Sequence, residues 1–474
     1  MAGLALCQRW AGLGHGLADF LGTAAPAGQL LRGDKVALAE VITEALDQPG
    51  HLAAVLVQRR APVAAKLPLG QFEAGQPAGL LLLPLGLLDL LASLLHQRRA
   101  SGGTWAATDP VMLDDMLDMG FNLFNTANNH SGDFGQEGVA ATIRHLRERN
   151  MVFAGTGLTL QEASQAAYLE TPEARIALIG VTSAFDPAAV AGGQGFRMQG
   201  RPGLNPLRYK TIYHVKDDLF DSIQKIAAST DINAFMELTI ELGYAAPLPA
   251  GTMRLGKLEF VRDTENFSVT IPDARDCKRI YDEIREARRQ ADIVLLSLHT
   301  HEMIGKDFHS IAQFARTFCH GAIDAGAHVV IGHGPHMMRG IERYGNGIIF
   351  HSMGNFIFQT ETIAAQPYDA FVNMGLDQDT RVGQYMDWRS ADGTRGYPVM
   401  PEIWRAYMPS WTIEDGHITE VMIQPIDLGM GKPRSQRGWP RLSKSEETLE
   451  FLRRMSLLLG CDIEIENGVG RITL

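Results

Sequence analysis

Three short stretches hold the residues able to do metal chemistry. "GHGPH" at 332–336 sets His333 and His336 three apart among Gly332, Gly334 and Pro335. "LHTHE" at 298–302 offers His299, His301 and Glu302, and "NTANNHSGDFG" at 125–135 offers Asn128, Asn129, His130 and Asp133. Imidazole nitrogens, an amide oxygen and carboxylates suit a borderline divalent ion such as zinc, manganese or iron. An ion so held brings the pKa of its bound water towards about 7, and a pair about 3.5–4 Å apart can clamp both oxygens of an in-line displacement at phosphorus. One or two such ions are the expected cofactor. The glycines and Pro335 are expected to keep the 332–336 bend out of helix and strand, so that both imidazoles turn over one edge.

Each group has a plainer reading when taken alone. A single histidine is more often hydrogen-bonded in a core or rim than bound to a metal, and Asn128 or Asn129 could cap a turn. What favours chemistry is that each stretch begins where a buried strand is expected to end, because ligands of open α/β sheets bind outside the carboxyl ends of the strands. His145, His309, His320 and His351 fall within helical or strand patterns and are assigned to packing. Ser183 and Ser352 lack a GxSxG elbow, and neither GxxxxGK[ST] nor a GxGxxG between strand and helix occurs.

The elements that must position these groups alternate. "PVMLDDMLDMG" reads as a helix from Pro110 to Gly120 and "FNLFNTA" as a strand; "QEGVAATIRHLRERN" and "MVFAGTG" repeat the pair. "RIALIGVTS" and "DIVLLSLH" are short buried strands, "DCKRIYDEIREARRQ" and "SIAQFARTFCHGAIDAG" amphipathic helices, and "HVVIG" a further strand. The class is therefore α/β. Residues 193–275 break the rhythm with Gly- and Pro-rich stretches and one helix near 216–229, and read as an insertion. Gly345-Asn346-Gly347 marks a hairpin turn, as does Asn467-Gly468. Between them lie a strand in "HITEVMIQPIDL" and a helix across 443–459.

A net charge of −11 and a pI near 5.8 argue against nucleic acid or an anionic membrane as partners. Cys7, Cys277, Cys319 and Cys461 are scattered, so they read as thiols of a reducing compartment. No secretory signal pattern opens the chain, and the cytoplasm is the expected location. The first hundred residues differ in kind: they contain 24 Leu, no Asn and no Tyr. Their run "GLLLLPLGLLDLLASLL" at 79–95 is short of about 20 residues and carries Pro84 and Asp89, so a buried helix is expected there ahead of a membrane anchor.

"GFNLFNTANNHSGDFGQEGVAATIRHL", "ADIVLLSLHTHE" and "DAGAHVVIGHGPHMMRGIERYGNGIIFHSMGNFIF", with "SGGTW" and "GRPGLNPLR", resemble in order and spacing the CapA family of poly-γ-glutamate capsule synthesis proteins, relatives of the calcineurin-type metallophosphoesterases. The resemblance covers residues 101–474. It implies a four-layer α/β/β/α sandwich, with a core over 101–360, the insertion at 193–275, and 361–474 completing the same fold. It further implies Asn129, His299, His333 and His336 as metal ligands, His130 beside the leaving group with Asp133 supporting it, and Glu302 nearby. His301 stands where the family commonly has Gly.

The family also opens with a strand ending in Gly-Asp, whose carboxylate binds metal, and an Asn-x-Glu element. Here Gly33-Asp34 is the sole Gly-Asp pair in that region, and no Asn precedes residue 122. Residues 1–100 therefore read as a divergent or frame-shifted region. Without a bridging carboxylate, the repulsion of two dications goes poorly compensated. The resemblance implies a metal-dependent phosphoesterase-like hydrolase acting on a small-molecule or polymer-precursor phosphoester; the alternative is a non-catalytic assembly component of capsule synthesis.

Overall fold

The computed structural model describes residues 106–473 apart from 361, 362, 364, 365, 378 and 415. The chain divides into two units, Met1–Leu85 and Gly86–Leu474, and all described residues belong to the second. Asp34 and the apolar run at 79–95 lie outside the described residues. Among the described residues, no helix is long and apolar enough to cross a membrane.

The alternation seen in the sequence is present. Helix α1 (Met112–Asp118) follows Pro110, and strand β1 (Leu123–Asn125) pairs in parallel with β2 (Val152–Ala154) across α2 (Gly135–Glu148). The stripe Val139, Ile143 and Leu146 is the buried face of α2. Strands β3 (Ala167–Glu170) and β4 (Arg175–Thr182) form an antiparallel pair.

The insertion is more regular than its composition suggests. Its strands β5 (Tyr209–Val215), β6 (Thr252–Leu255), β7 (Leu258–Arg262) and β8 (Phe267–Pro272) form a sheet in the order β8-β5-β7-β6. Helices α3 (Asp217–Ala228) and α4 (Ala234–Glu241) lie between β5 and β6. The expected helix near 216–229 is α3; α4 and β5 carry no clear local pattern in the sequence. Strand β5 pairs with residues 47 to 63 positions away, and such non-local partners leave little imprint on local pattern.

The core returns with α5 (Ala274–Gln290), which starts earlier than its apolar pattern because the Asp273 carboxylate accepts hydrogen bonds from the N–H groups of Arg275 and Asp276. Strand β9 (Ile293–His299), α6 (Gln313–Asp324), β10 (Val329–His333) and the hairpin of β11 (Met338–Tyr344) and β12 (Gly347–Met353) follow. The six-stranded sheet runs β11-β12-β10-β9-β4-β3, with β4, β9, β10 and β12 parallel. After α7 (Val382–Ser390), strands β13 (Arg405–Glu414) and β14 (His417–Asp427), helix α8 (Glu446–Leu457), and strands β15 (Glu464–Glu466) and β16 (Val469–Thr473) build a second sheet in the order β13-β14-β16-β15.

The central strands are buried on both faces, which explains their continuous apolar runs. Ala177, Ile179, Val181, Val294, Leu296 and Leu298 face α5 and α6, meeting Ile280, Ile284, Phe314 and Phe318. The intervening Leu178, Leu295 and Val329, joined by Ile348 and Phe350, face the second sheet at Val421, Ile423 and Ile472, where α8 adds Leu449 and Leu452. Each fully buried Leu, Ile or Phe contributes about 1.5–3 kcal/mol. This is the stacked-sheet, helix-flanked α/β architecture of the metallophosphoesterase type that the resemblance implies.

Candidate active site

The carboxyl ends of β4, β9 and β10 lie side by side, with Thr182 opposite His299 and His299 opposite His333. Neither His299 nor His333 is a loop residue. Each is the last residue of its strand, which corrects the expectation that His333 sits in an irregular bend; the bend begins at Gly334. Gly332 stays inside β10 because a Cβ there would come within 2.3 Å of the His351 carbonyl oxygen. Gly334, at φ +121°, makes the turn. His336 then adopts φ +65°, a left-handed conformation that costs a non-glycine residue free energy and clusters at functional sites.

The three rings of His299, His301 and His333 touch. His299 Nδ1 lies 3.0 Å from His333 Nδ1, and His299 Nε2 lies 2.9 Å from His301 Nε2. The protons can be placed from the neighbours. Asn125 Oδ1 accepts from the Ala127 N–H, which aims its amide nitrogen at His333 Nε2 at 3.0 Å, and Ser297 Oγ is 2.9 Å from the same nitrogen. An amide nitrogen only donates, so His333 Nε2 accepts, its Nδ1–H donates to His299, and the His299 Nε2–H donates to His301. Gly180 lets Asn125 approach; a Cβ there would sit 2.4 Å from Asn125 Oδ1.

Burial keeps these rings neutral. The pKa of His299 is pushed well below its ordinary value by desolvation and then by the neighbouring His333, His301 and His336. His301 and His333 are lowered to about 4, again chiefly by burial. His336 is lowered by burial against the opposing pull of Asn355. Asn355 Oδ1 accepts from His336 Nδ1–H at 2.9 Å while its amide nitrogen donates to the carbonyls of His336 and Ile403. The His336 Nε2 lone pair is thereby left available, 5.8 Å separating the centroids of the His301 and His336 rings.

The loop after β1 places His130 with Nδ1 2.8 Å from Asp133 Oδ2. Asp133 is buried and also accepts the Ala106 N–H at 2.9 Å. Asn128 accepts the His130 N–H and shapes the turn, whereas Asn129 makes no hydrogen bond to a described residue. Asn125, Thr126, Asn128, His130 and Ser131 line a cleft of about 250 Å³. Glu302 is drawn away from the imidazoles: its Oε2 accepts from Ser183 Oγ, Thr300 Oγ1 and the His301 N–H. Its charge also helps push the Tyr209 hydroxyl up to about 12, second to desolvation. Sequence reasoning missed Asn125, Ser297 and Asn355. Asn125 and Ser297 were available as polar residues inside strand patterns, and Asn355 as one just beyond β12.

Among the described residues, no group of three or more His, Cys, Asp or Glu side chains is disposed around a point as metal ligands. The imidazole nitrogens instead meet through shared protons. Their chemistry fits one borderline cation, since they are neutral, convergent nitrogen donors that a cation could take over by displacing those protons. It does not fit two: Asp133 is held by His130 and Ala106, Glu302 by three donors, and no carboxylate faces the cluster among the described residues.

The stacked sheets with polar groups gathered at the carboxyl ends of β4, β9 and β10 define a metallophosphoesterase-like α/β protein. The family model of the bacterial capsule synthesis protein PGA_cap matches residues 93–360. The uncharacterized protein y4sH of Sinorhizobium fredii (strain NBRC 101917 / NGR234) is 32% identical over 387 residues, 79% of this chain and 80% of its own. The PGA biosynthesis protein CapA of Bacillus subtilis (strain 168) is 26% identical over 316 residues, 64% of this chain and 62% of its own. The capsule biosynthesis protein CapA of Bacillus anthracis is 24% identical over 240 residues, 50% and 40% of the two chains. The chain belongs to the bacterial capsule synthesis protein PGA_cap family.

Proposed function

We propose that the protein is a phosphoester hydrolase of the CapA type serving capsule or poly-γ-glutamate synthesis, assisted by a single divalent cation. The observation that carries this reading is the His130–Asp133 pair, a half-exposed imidazole held by a buried carboxylate beside a cluster of neutral imidazoles. His299, His333 and His336, with the amide of Asn129, which bonds no described residue, would hold the cation, and His301 borders them. Bound there, it would supply an activated water and electrostatic stabilisation of charge at phosphorus.

The chain's own residues do the rest. Asp133 accepts from Nδ1–H of His130 and so orients the ring, so that Nε2–H can protonate the leaving oxygen. Asn125 and Ser297 fix the tautomer of His333, and Asn355 that of His336. Buried polar partners of this kind commonly change metal affinity or activity 10–100-fold when lost.

The test pairs metal analysis with a phosphomonoester and phosphodiester panel. His130→Ala should lower turnover about 10²–10⁴-fold with metal content retained, whereas His336→Ala should lower metal content itself. Equal metal content in all variants contradicts the assignment. The absence of a facing carboxylate among the described residues favours a second reading, a non-catalytic assembly component; purified protein that binds no cation and turns over no ester would establish it.

A further inference from the structure

A second cavity, of about 200 Å³, adjoins the site on the His336 side. Its wall is aromatic: the Phe358 and Tyr397 rings lie 5.4 and 5.9 Å from the His336 ring, and Trp404 packs edge-on against Phe358 at 5.8 Å. The Trp404 indole N–H is spent on the Tyr397 carbonyl, so this wall offers π-faces and no free donor from Trp404. One aromatic ring therefore separates the cavity from a candidate ligand.

Two exposed arginines complete the lining, Arg389 at the end of α7 and Arg395 just beyond it. The Arg389 guanidinium lies 5.8 Å from the Tyr397 ring centroid and, among the described residues, makes neither an ion pair nor a hydrogen bond. Arg395 donates from Nε and Nη2 to the carbonyls of Arg389 and Trp388, which fixes its plane without neutralising its charge. The nearby acid Asp387 is engaged by Arg434. Several other arginines of this acidic chain sit against carboxylates, as Arg175, Arg208, Arg262 and Arg316 do. Here two cations meet an aromatic slot with no counter-charge among the described residues.

We propose that this cavity is the subsite for a second, anionic arm of the substrate, an oxyanion group on a flat or apolar stem. The guanidinium forks of Arg389 and Arg395 would take a carboxylate or a phosphate, both planar-fork acceptors. Phe358, Tyr397 and Trp404 would pack the stem. Assigning the arm to the substrate rests on the hydrolase reading above; the affinity of the cavity for an oxyanion does not.

Isothermal titration of the EDTA-treated full chain tests this with three probes: phenylphosphonate, phenylacetate and neutral phenylacetamide. The expected result is that an anion binds about tenfold or more tightly than the amide, a gap of about 1.4 kcal/mol, and that Arg389→Ala erases the gap. The Arg389 side chain makes no hydrogen bond or ion pair to a described residue, so that variant should fold normally; Arg395→Ala is the second variant and should weaken the anions in the same direction. Whichever of phosphonate and carboxylate binds more tightly identifies the arm. Equal binding of amide and anions, or anion binding unchanged in Arg389→Ala, overturns the proposal. If no phosphoester is hydrolysed yet the anions still bind through Arg389, the hydrolase reading fails while the oxyanion site stands.

Discussion

The six-stranded sheet carries two groups of histidines, and they are opposites. At its carboxyl edge His299, His301 and His333 pack nitrogen to nitrogen with no carboxylate among them. Further along the same sheet, Glu342 of β11 is surrounded by Arg316, His320 and His351, each within 2.7–2.8 Å of a carboxylate oxygen. Burial by itself would raise the Glu342 carboxyl, but the bonds from His351, Arg316 and His320 outweigh it and hold the carboxyl at about 2. The second group is neutralised and closed, as expected of the histidines assigned to packing. The first is uncompensated, and a sheet edge holding several buried bases without a counter-charge is suited to take up a cation.

Removing the keystone of the closed group should have the largest effect on the fold. Glu342→Ala leaves Arg316 and two imidazoles around an empty place, and unfolding by denaturant should show a loss of about 3–5 kcal/mol. A loss under about 1 kcal/mol would mean that the group is not the closed cluster described here.

The two groups should also respond to acid in separate windows. Glu342 has a folded pKa depressed from 4.5 to about 2, so its stabilisation is complete above the unfolded value and is lost as pH falls through about 2. His301 and His333 are lowered from 6.5 to about 4, so the unfolded chain takes up protons that the folded chain refuses. Stability of the EDTA-treated protein should therefore fall as pH drops from about 6.5 to 4. Glu342→Gln should flatten the acid limb alone, and His301→Gln should reduce the upper limb alone. One merged limb in either variant would erase the distinction.

A smaller effect is expected at the border of the open group. Asn355→Ala removes the acceptor for His336 Nδ1–H and two backbone contacts, and should cost about 1–3 kcal/mol. Nitrogen NMR of the His336 ring should then show mixed tautomers in place of a single Nδ1–H form. An unchanged spectrum would free His336 from Asn355.

Much of this arrangement is legible in the sequence, for reasons particular to each element. The apolar runs before His299 and His333 exceed what a half-exposed strand needs, which marks them as central and parallel. The spacing of Val139, Ile143 and Leu146 can satisfy only a helix. Strand β13 escapes notice because Pro409 interrupts it and its outer residues are polar. Strand β5 escapes because both of its partners follow it only after two intervening helices. Glu302 reads as a ligand by position, and only the fold reveals that Ser183, 119 residues away, holds its carboxylate elsewhere.

By itself, then, the sequence determines which residues can do chemistry and that three strand ends present them, because burial and periodicity are written locally in the order of side chains. It does not determine which nitrogen of each imidazole carries the proton, where the carboxylates turn, or that Arg389 and Arg395 line a cavity one aromatic ring away from His336. Those depend on contacts between residues tens to hundreds of positions apart. Hydrogen-bond geometry and desolvation are properties of that packed neighbourhood, and only the tertiary structure decides them.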